Sequence, residues 1–179
     1  SSIFDLISKK KTNSIILNYD DKSNDFFHWY QQLVAESLGK KGKGIMPIIS
    51  VMPKDNHSLM QYYLDGKRNN FFTLFFVKEN KSKRVKKNDL MRSHNYLFNK
   101  TINEILFSQF NATEKVFNQN RIPFRSIVLK NRSPQNIGEL FIFFILETLL
   151  LGKLMKINPF NQPAVELLKT QTKKNLLSQ

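Results

Sequence analysis

Gln32 and Glu36 stand four residues apart in a run of helical period, so they project together from one side of that helix. A carboxylate there, near a helix end closed by Gly39 and Gly42, can serve as a general base held on a rigid element. A second group lies towards the C-terminus. Pro163 suits the first position of a helix, and Asn161 and Gln162 flank its start. Unpaired backbone N–H groups at such a start favour an anion such as a sugar phosphate. Lys169 follows about two turns into the same helix. His57 falls in the predicted first turn of a helix capped by Asp55 or Asn56, where the dipole disfavours the imidazolium and a neutral ring can accept or donate a proton. Each residue also has a plain reading as ordinary surface chemistry. His28 and His94 have no second ligand at metal-binding spacing, and the chain has no cysteine, so no metal site is expected.

These residues need a scaffold, and the patterning predicts one. Compact apolar runs at 14–19, 47–52, 71–77 and 124–129 read as buried strands. Helical periods at 2–9, 25–38, 55–66, 96–119, 135–155 and 163–177 alternate with them. In the second of these helices Phe26, Phe27, Tyr30, Leu33 and Val34 share one side. Buried strands separated by helices imply an α/β fold, a three-layer αβα sandwich around a mostly parallel sheet. A chain of 179 residues is long enough for one full core, and 41 % hydrophobic content with 16 Phe excludes intrinsic disorder.

Charge is the most conspicuous quantity: 28 Lys+Arg against 14 Asp+Glu, a net of +14. It suggests nucleic acid or an anionic surface. The densest stretch holds Lys78, Lys81, Lys83, Arg84, Lys86, Lys87 and Arg92, without interleaved aromatics for base stacking. It reads as a solvated, lysine-biased loop, and no nucleic-acid partner is expected. The apolar stretch 137–155 is interrupted by Glu139, Glu147 and Lys153, short of the ~20 residues of a bilayer span. Residues 1–11 run apolar and then basic, the reverse of a signal peptide. A cytoplasmic protein with no membrane partner is expected.

Three ordered segments closely resemble the phosphoglucose isomerase (glucose-6-phosphate isomerase) family. Gln-Gln-x-x-x-Glu-Ser-x-Gly-Lys at 31–40, followed by Gly-Lys-Gly-Ile-Met-Pro at 42–47, resembles its catalytic-glutamate segment. Asn56-His57-Ser58, heading Gln61 and Gly66, resembles its histidine segment. The run 152–169, with Phe-Asn-Gln-x-Ala-Val-Glu-x-x-Lys, resembles its C-terminal signature. The resemblance implies interconversion of glucose 6-phosphate and fructose 6-phosphate through a cis-enediol(ate), without a cofactor. It implies Glu36 as the proton-transfer base, and His57 as a ring-opening residue reaching into the other subunit of a homodimer. It further implies Lys169 at ring opening and near the substrate oxygens, with Gln32 and Gln162 lining the sugar-phosphate site.

That family's chains are more than twice as long and contain two sugar-isomerase (SIS) domains of flavodoxin/Rossmann-type topology. Its Gly-Gly-Arg segment, whose arginine supports the enediolate, and its Ser/Thr-rich phosphate loop are absent from this sequence. Pro163-Ala164 and Leu168 are mild departures within the signature. Residues 1–157 are therefore expected to form a second SIS domain and 158–179 a C-terminal helical segment, catalytically incomplete alone. A basic nucleic-acid-binding protein is the lower of two alternatives, and the first is a non-catalytic SIS module binding a sugar phosphate. It gives no reason to keep Glu36, His57 and Lys169 together.

Overall fold

Four runs rich in Ile, Val and Phe are extended, and each is bounded by residues that break or cap. The computed structural model describes residues 2–78, 82–87 and 91–178, with Arg92 as backbone alone. Its elements are α1 (Ile3–Ser8), β1 (Asn13–Asn18), α2 (Asn24–Leu38), β2 (Met46–Val51), α3 (Met60–Asp65), β3 (Asn70–Val77), α4 (Ile102–Gln119), β4 (Phe124–Leu129), α5 (Pro134–Met155) and α6 (Pro163–Leu177). The strands form one all-parallel sheet in the order β2-β1-β3-β4, a doubly wound arrangement of flavodoxin type. Ile16 stands opposite Ile49 on β2 and Thr73 on β3.

Strand alternation sorts the core into two layers. Ile16, Phe71 and Phe75 face α2 and α5, meeting Phe27, Tyr30, Val34 and Phe144. Ile15, Leu17, Phe72, Leu74 and Phe76 face α3 and α4, meeting Tyr63, Phe110 and Phe117. The three-layer α/β expectation is met. Two ion pairs anchor α5. Arg125 of β4 grips the Glu147 carboxylate with both terminal nitrogens and donates through Nε to Thr73 Oγ1 at 2.9 Å. Arg132, just before α5, pairs with Asp20, just after β1.

Two predicted helices start later than their periodicity suggests. The long one begins at Ile102, because Thr101 and Glu104 form a capping box, and Arg92–Leu97 is a separate 3-10 turn. Of the helix predicted over 55–66, only Met60–Asp65 is α-helical. Asp55 caps nothing there. Its carboxylate accepts from Val51 N at 2.8 Å, Ser50 Oγ at 2.9 Å and Ser58 Oγ at 2.9 Å. Those bonds tie the turn back onto β2, and His57 ends a short 3-10 turn, Lys54–Asn56, instead of opening a helix.

Burial pushes the Tyr30 hydroxyl up to about 12, against a smaller opposing hydrogen bond from Ser14. An unfolded tyrosine loses its proton near 10. Between those values the unfolded chain carries fewer protons than the native one, so stability falls as pH rises. Tyr30→Phe should remove this contribution, making the loss of stability up to about pH 11 shallower by about 1 kcal/mol. Urea denaturation of both proteins across that range measures it.

Candidate active site

Parallel pairing of β1 with β2 obliges the chain to return from the carboxyl edge of β1 to the amino edge of β2, and α2 makes that return. Phe27, Tyr30, Val34 and Leu38 bury one side of α2, which leaves Gln32 exposed and Glu36 half-buried at its far end. The exit from α2 is tight: Gly44 has φ +106°, and a Cβ there would lie 2.5 Å from the Leu38 carbonyl oxygen. Only glycine fits that position.

The other half of the site comes from the opposite end of the sequence. α5 ends with Lys156 in the left-handed region, and the chain crosses to Gln162, the residue just before α6. Gln162 does not cap its helix with its side chain. Instead its Nε2 donates to Glu36 Oε2 at 2.5 Å, while Gln32 Nε2 donates to Glu36 Oε1 at 3.0 Å. Each carboxylate oxygen thus accepts one amide N–H, and the carboxylate plane is set by two helices. Two lysines fasten the connection. Lys40 Nζ donates to the Asn158 carbonyl at 2.7 Å and Lys43 Nζ to the Met155 carbonyl at 3.2 Å. No motif or periodicity assigns those contacts; they arise because two distant loops meet at one sheet edge. Between α2 and the start of α6 lies a groove of about 460 Å³, lined in part by Glu36, Lys40, Asn158, Asn161 and Gln162.

Lys169 projects from α6 and pairs with Glu166 at 2.8 Å, both side chains 65 % exposed. Glu166 holds the Lys169 ammonium above the usual lysine range, and Glu36 adds a smaller push in the same direction. The Lys169 charge therefore lies within the field of the Glu36 carboxylate. His57 is elsewhere. It follows the carboxyl end of β2, whereas Glu36 lies at the amino edge, and β2 alone spans six residues, roughly 20 Å. Within one chain the structure brings Gln32, Glu36 and Gln162 together with Lys169 in electrostatic reach, and leaves His57 at the opposite edge.

A family model described as phosphoglucose isomerase matches residues 2–178, all but the terminal residues. The chain belongs to the phosphoglucose isomerase family. A protein of Methanococcus maripaludis named probable glucose-6-phosphate isomerase is 36 % identical over 164 residues, covering 90 % of this chain and 36 % of that protein. The glucose-6-phosphate isomerase of Mycoplasmopsis pulmonis is 34 % identical over 168 residues, covering 92 % and 39 %. The chain thus spans less than two fifths of the length of these curated relatives. Among solved structures, a hypothetical protein of Thermus thermophilus superposes with a TM-score of 0.88 at 25 % identity, over 97 % of this chain and 44 % of that one. A glucose-6-phosphate isomerase of Chlamydia trachomatis shares the fold, with a TM-score of 0.73 at 17 % identity, over 92 % and 34 %.

Other expectations have local outcomes. In the basic stretch, Arg84 donates to the Asn99 carbonyl at 2.7 Å and Lys78 sits over the Phe107 ring, 5.8 Å from its centre. Lys83, Lys86 and Lys87 are exposed, while Lys81 lies outside the described residues. Among the described residues no helix is long and apolar enough to cross a membrane.

The shared field around Lys169 can be measured directly. Its titration, followed by carbon NMR at Cε, should lie above that of an ordinary lysine. Glu166→Gln should lower it most, and Glu36→Gln should lower it by a smaller, resolvable amount. An unchanged titration in Glu36→Gln would separate Lys169 from this site.

Proposed function

We propose that this chain supplies the proton-transfer half of a glucose-6-phosphate isomerase, with Glu36 as the base. The observation that carries this reading is the Glu36 carboxylate held between Gln32 and Gln162 beside an open groove, in a chain of the phosphoglucose isomerase family. From the open-chain aldose, Glu36 takes the proton on C2. The C2–H electrons form the C1=C2 double bond and the carbonyl π electrons move to O1, giving an enediolate. The O2 hydroxyl proton passes to O1, and return of the first proton to C1, with formation of the carbonyl at C2, gives the ketose. A fixed carboxylate acting in this way contributes about 10²–10⁴-fold. Lys169, as an exposed cation near Glu36, favours the negative charge that develops on the substrate oxygens. Gln32 and Gln162 orient the base and border the sugar-phosphate site. The proposed setting is cytoplasmic, with no cofactor and no nucleic-acid partner. Residues 1–157 form the proposed second SIS domain, and 158–179 form the arm that closes its groove.

The position of His57 supports a homodimer in this reading. A residue at the opposite sheet edge reaches a Glu36 groove most simply when that groove belongs to another copy. The outer side of α5 offers a surface for such pairing: Ile142, Leu146, Leu150 and Leu154 are all more than half exposed, and contiguous exposed apolar residues of this kind mark contact surfaces. The matched relatives are more than twice as long as the aligned region, so the activity is proposed for a complete enzyme and not for these 179 residues alone.

Two experiments on the complete enzyme test this. Glu36→Gln should abolish exchange of the substrate C2 proton with solvent while leaving the thermal midpoint unchanged; undiminished exchange rejects Glu36 as the base. Glu36→Gln and His57→Gln subunits, each inactive alone, should regain about a quarter of wild-type activity when mixed and allowed to exchange. Half the dimers are then hybrids and each hybrid holds one intact site. No recovery in verified hybrids places both residues in the same subunit's site.

A further inference from the structure

We propose that a second, basic cavity at the amino edge of β3 and β4 binds a small anion carrying two phosphate groups. Because β1, β3 and β4 all start at this edge, the segments leading into them meet there, and each brings cations. Lys11 precedes β1, Lys67 and Arg68 precede β3, and Arg121 precedes β4. The cavity they line is about 310 Å³, the small end of the range for ligand pockets.

Four cations line it, and no carboxylate does. Among the described residues Lys67, Arg68 and Arg121 have no hydrogen-bond or ion-pair partner for their charged groups. The walls that carry them are fixed. Lys11 Nζ donates to the Arg68 carbonyl. Thr12 N and Asn13 N both donate to the Asn69 carbonyl, at 2.9 and 3.2 Å, and Phe72 N donates to the Pro123 carbonyl at 3.0 Å. Asn70 accepts from Asn13 Nδ2 at 2.9 Å through its Oδ1, and so offers its own amide N–H groups to a further acceptor. Like charges collected in a fixed concavity repel one another, and an anion relieves that repulsion. A phosphate group carries about −1.5 to −2, so four cations match about two of them.

Size and setting favour a compact ligand over a nucleic acid. The aromatic lining residues Tyr63 and Phe72 are buried beneath the cavity, leaving no open ring for a base to stack on. The cavity is also separate from the Glu36 groove. Phe72 and Tyr63 belong to the layer facing α3 and α4, whereas Glu36 stands on α2 across the sheet.

Titration calorimetry of the 179-residue chain with inorganic pyrophosphate at low ionic strength tests the proposal. One saturable site is expected, weakened at least tenfold by Arg68→Ala and by Arg121→Gly, and largely retained in Arg68→Lys. Arg121 has φ +53°, so glycine removes its charge while easing the backbone, and lost binding there does not reflect unfolding. Lys83→Ala, in an exposed loop, should leave the affinity unchanged. So should Glu36→Gln, whereas pyrophosphate seated in the α2–α6 groove would bind more tightly once that carboxylate is neutralised. The proposal is overturned by absence of saturable binding, by equal losses in Lys83→Ala, by tightening in Glu36→Gln, or by tighter binding of a single-stranded oligonucleotide than of pyrophosphate.

Discussion

Every strand of the sheet points the same way, and the placement of the candidate site follows from that constraint. A parallel neighbour cannot be reached by a tight turn, so each crossover returns the chain along the full height of the sheet. α2 and α5 both run back from the carboxyl edge, which is why Leu38 and Met155 end at the same level. The loops leaving them can then be joined by Lys40 and Lys43. Gln162 reaches Glu36 across 126 positions of sequence because two return helices stop together. The same constraint sends His57 away, since it lies beyond β2 and not at the end of a return helix.

The contact between Glu36 and Gln162 rests on a helix that the chain does little to hold. α6 has 15 residues and none is buried, and an isolated helix of that length is marginal in water. Leu167, Leu168 and Leu177 are all about 70 % exposed or more. What fixes its start is local: Pro163 at the first position, the Gln162 bond to Glu36, and the lysine contacts behind it. The core stops at Ile157, which is buried, while Asn158 to Gln162 lie on or near the surface. Rigidity at the base and adaptability at the arm are therefore divided between two elements, α2 packed on the sheet and α6 lying outside it.

The layers and strand runs were legible because burial on both faces leaves near-continuous apolar runs such as Ile15-Ile16-Leu17 and Phe71-Phe72-Thr73-Leu74. β4 and α6 fall where the runs 124–129 and 163–177 place them. The pairing of Gln32 with Glu36 was legible too, as an i,i+4 relation on a helix. What periodicity missed were starts. Tyr96 to Thr101 continue the apolar spacing of α4, but the Thr101–Glu104 box fixes its first turn. Asp55 looks like a helix cap, yet three donors from Ser50, Val51 and Ser58 compete for it and win. The side-chain-to-carbonyl contacts of Lys40 and Lys43 leave no trace in sequence, because they depend on where two loops end in space.

Those contacts also give the lysine excess a structural meaning. The chain has only 6 Gly in 179 residues, although loops and helix ends often need a left-handed residue. Lys10, Lys41, Asn99, Arg121 and Lys156 occupy such positions with positive φ, each at a cost of roughly 1 kcal/mol relative to glycine. Carbonyls outside the helix and sheet ladders also require donors. Long ammonium side chains reach them: Lys11 the Arg68 carbonyl, Lys40 that of Asn158 and Lys43 that of Met155. A carbonyl needs a donor and not a net charge, so the +14 need not describe a partner at all. Where charges gather without carbonyls to satisfy, as with Lys67, Arg68 and Arg121, that explanation fails, and there an external anion becomes the better account.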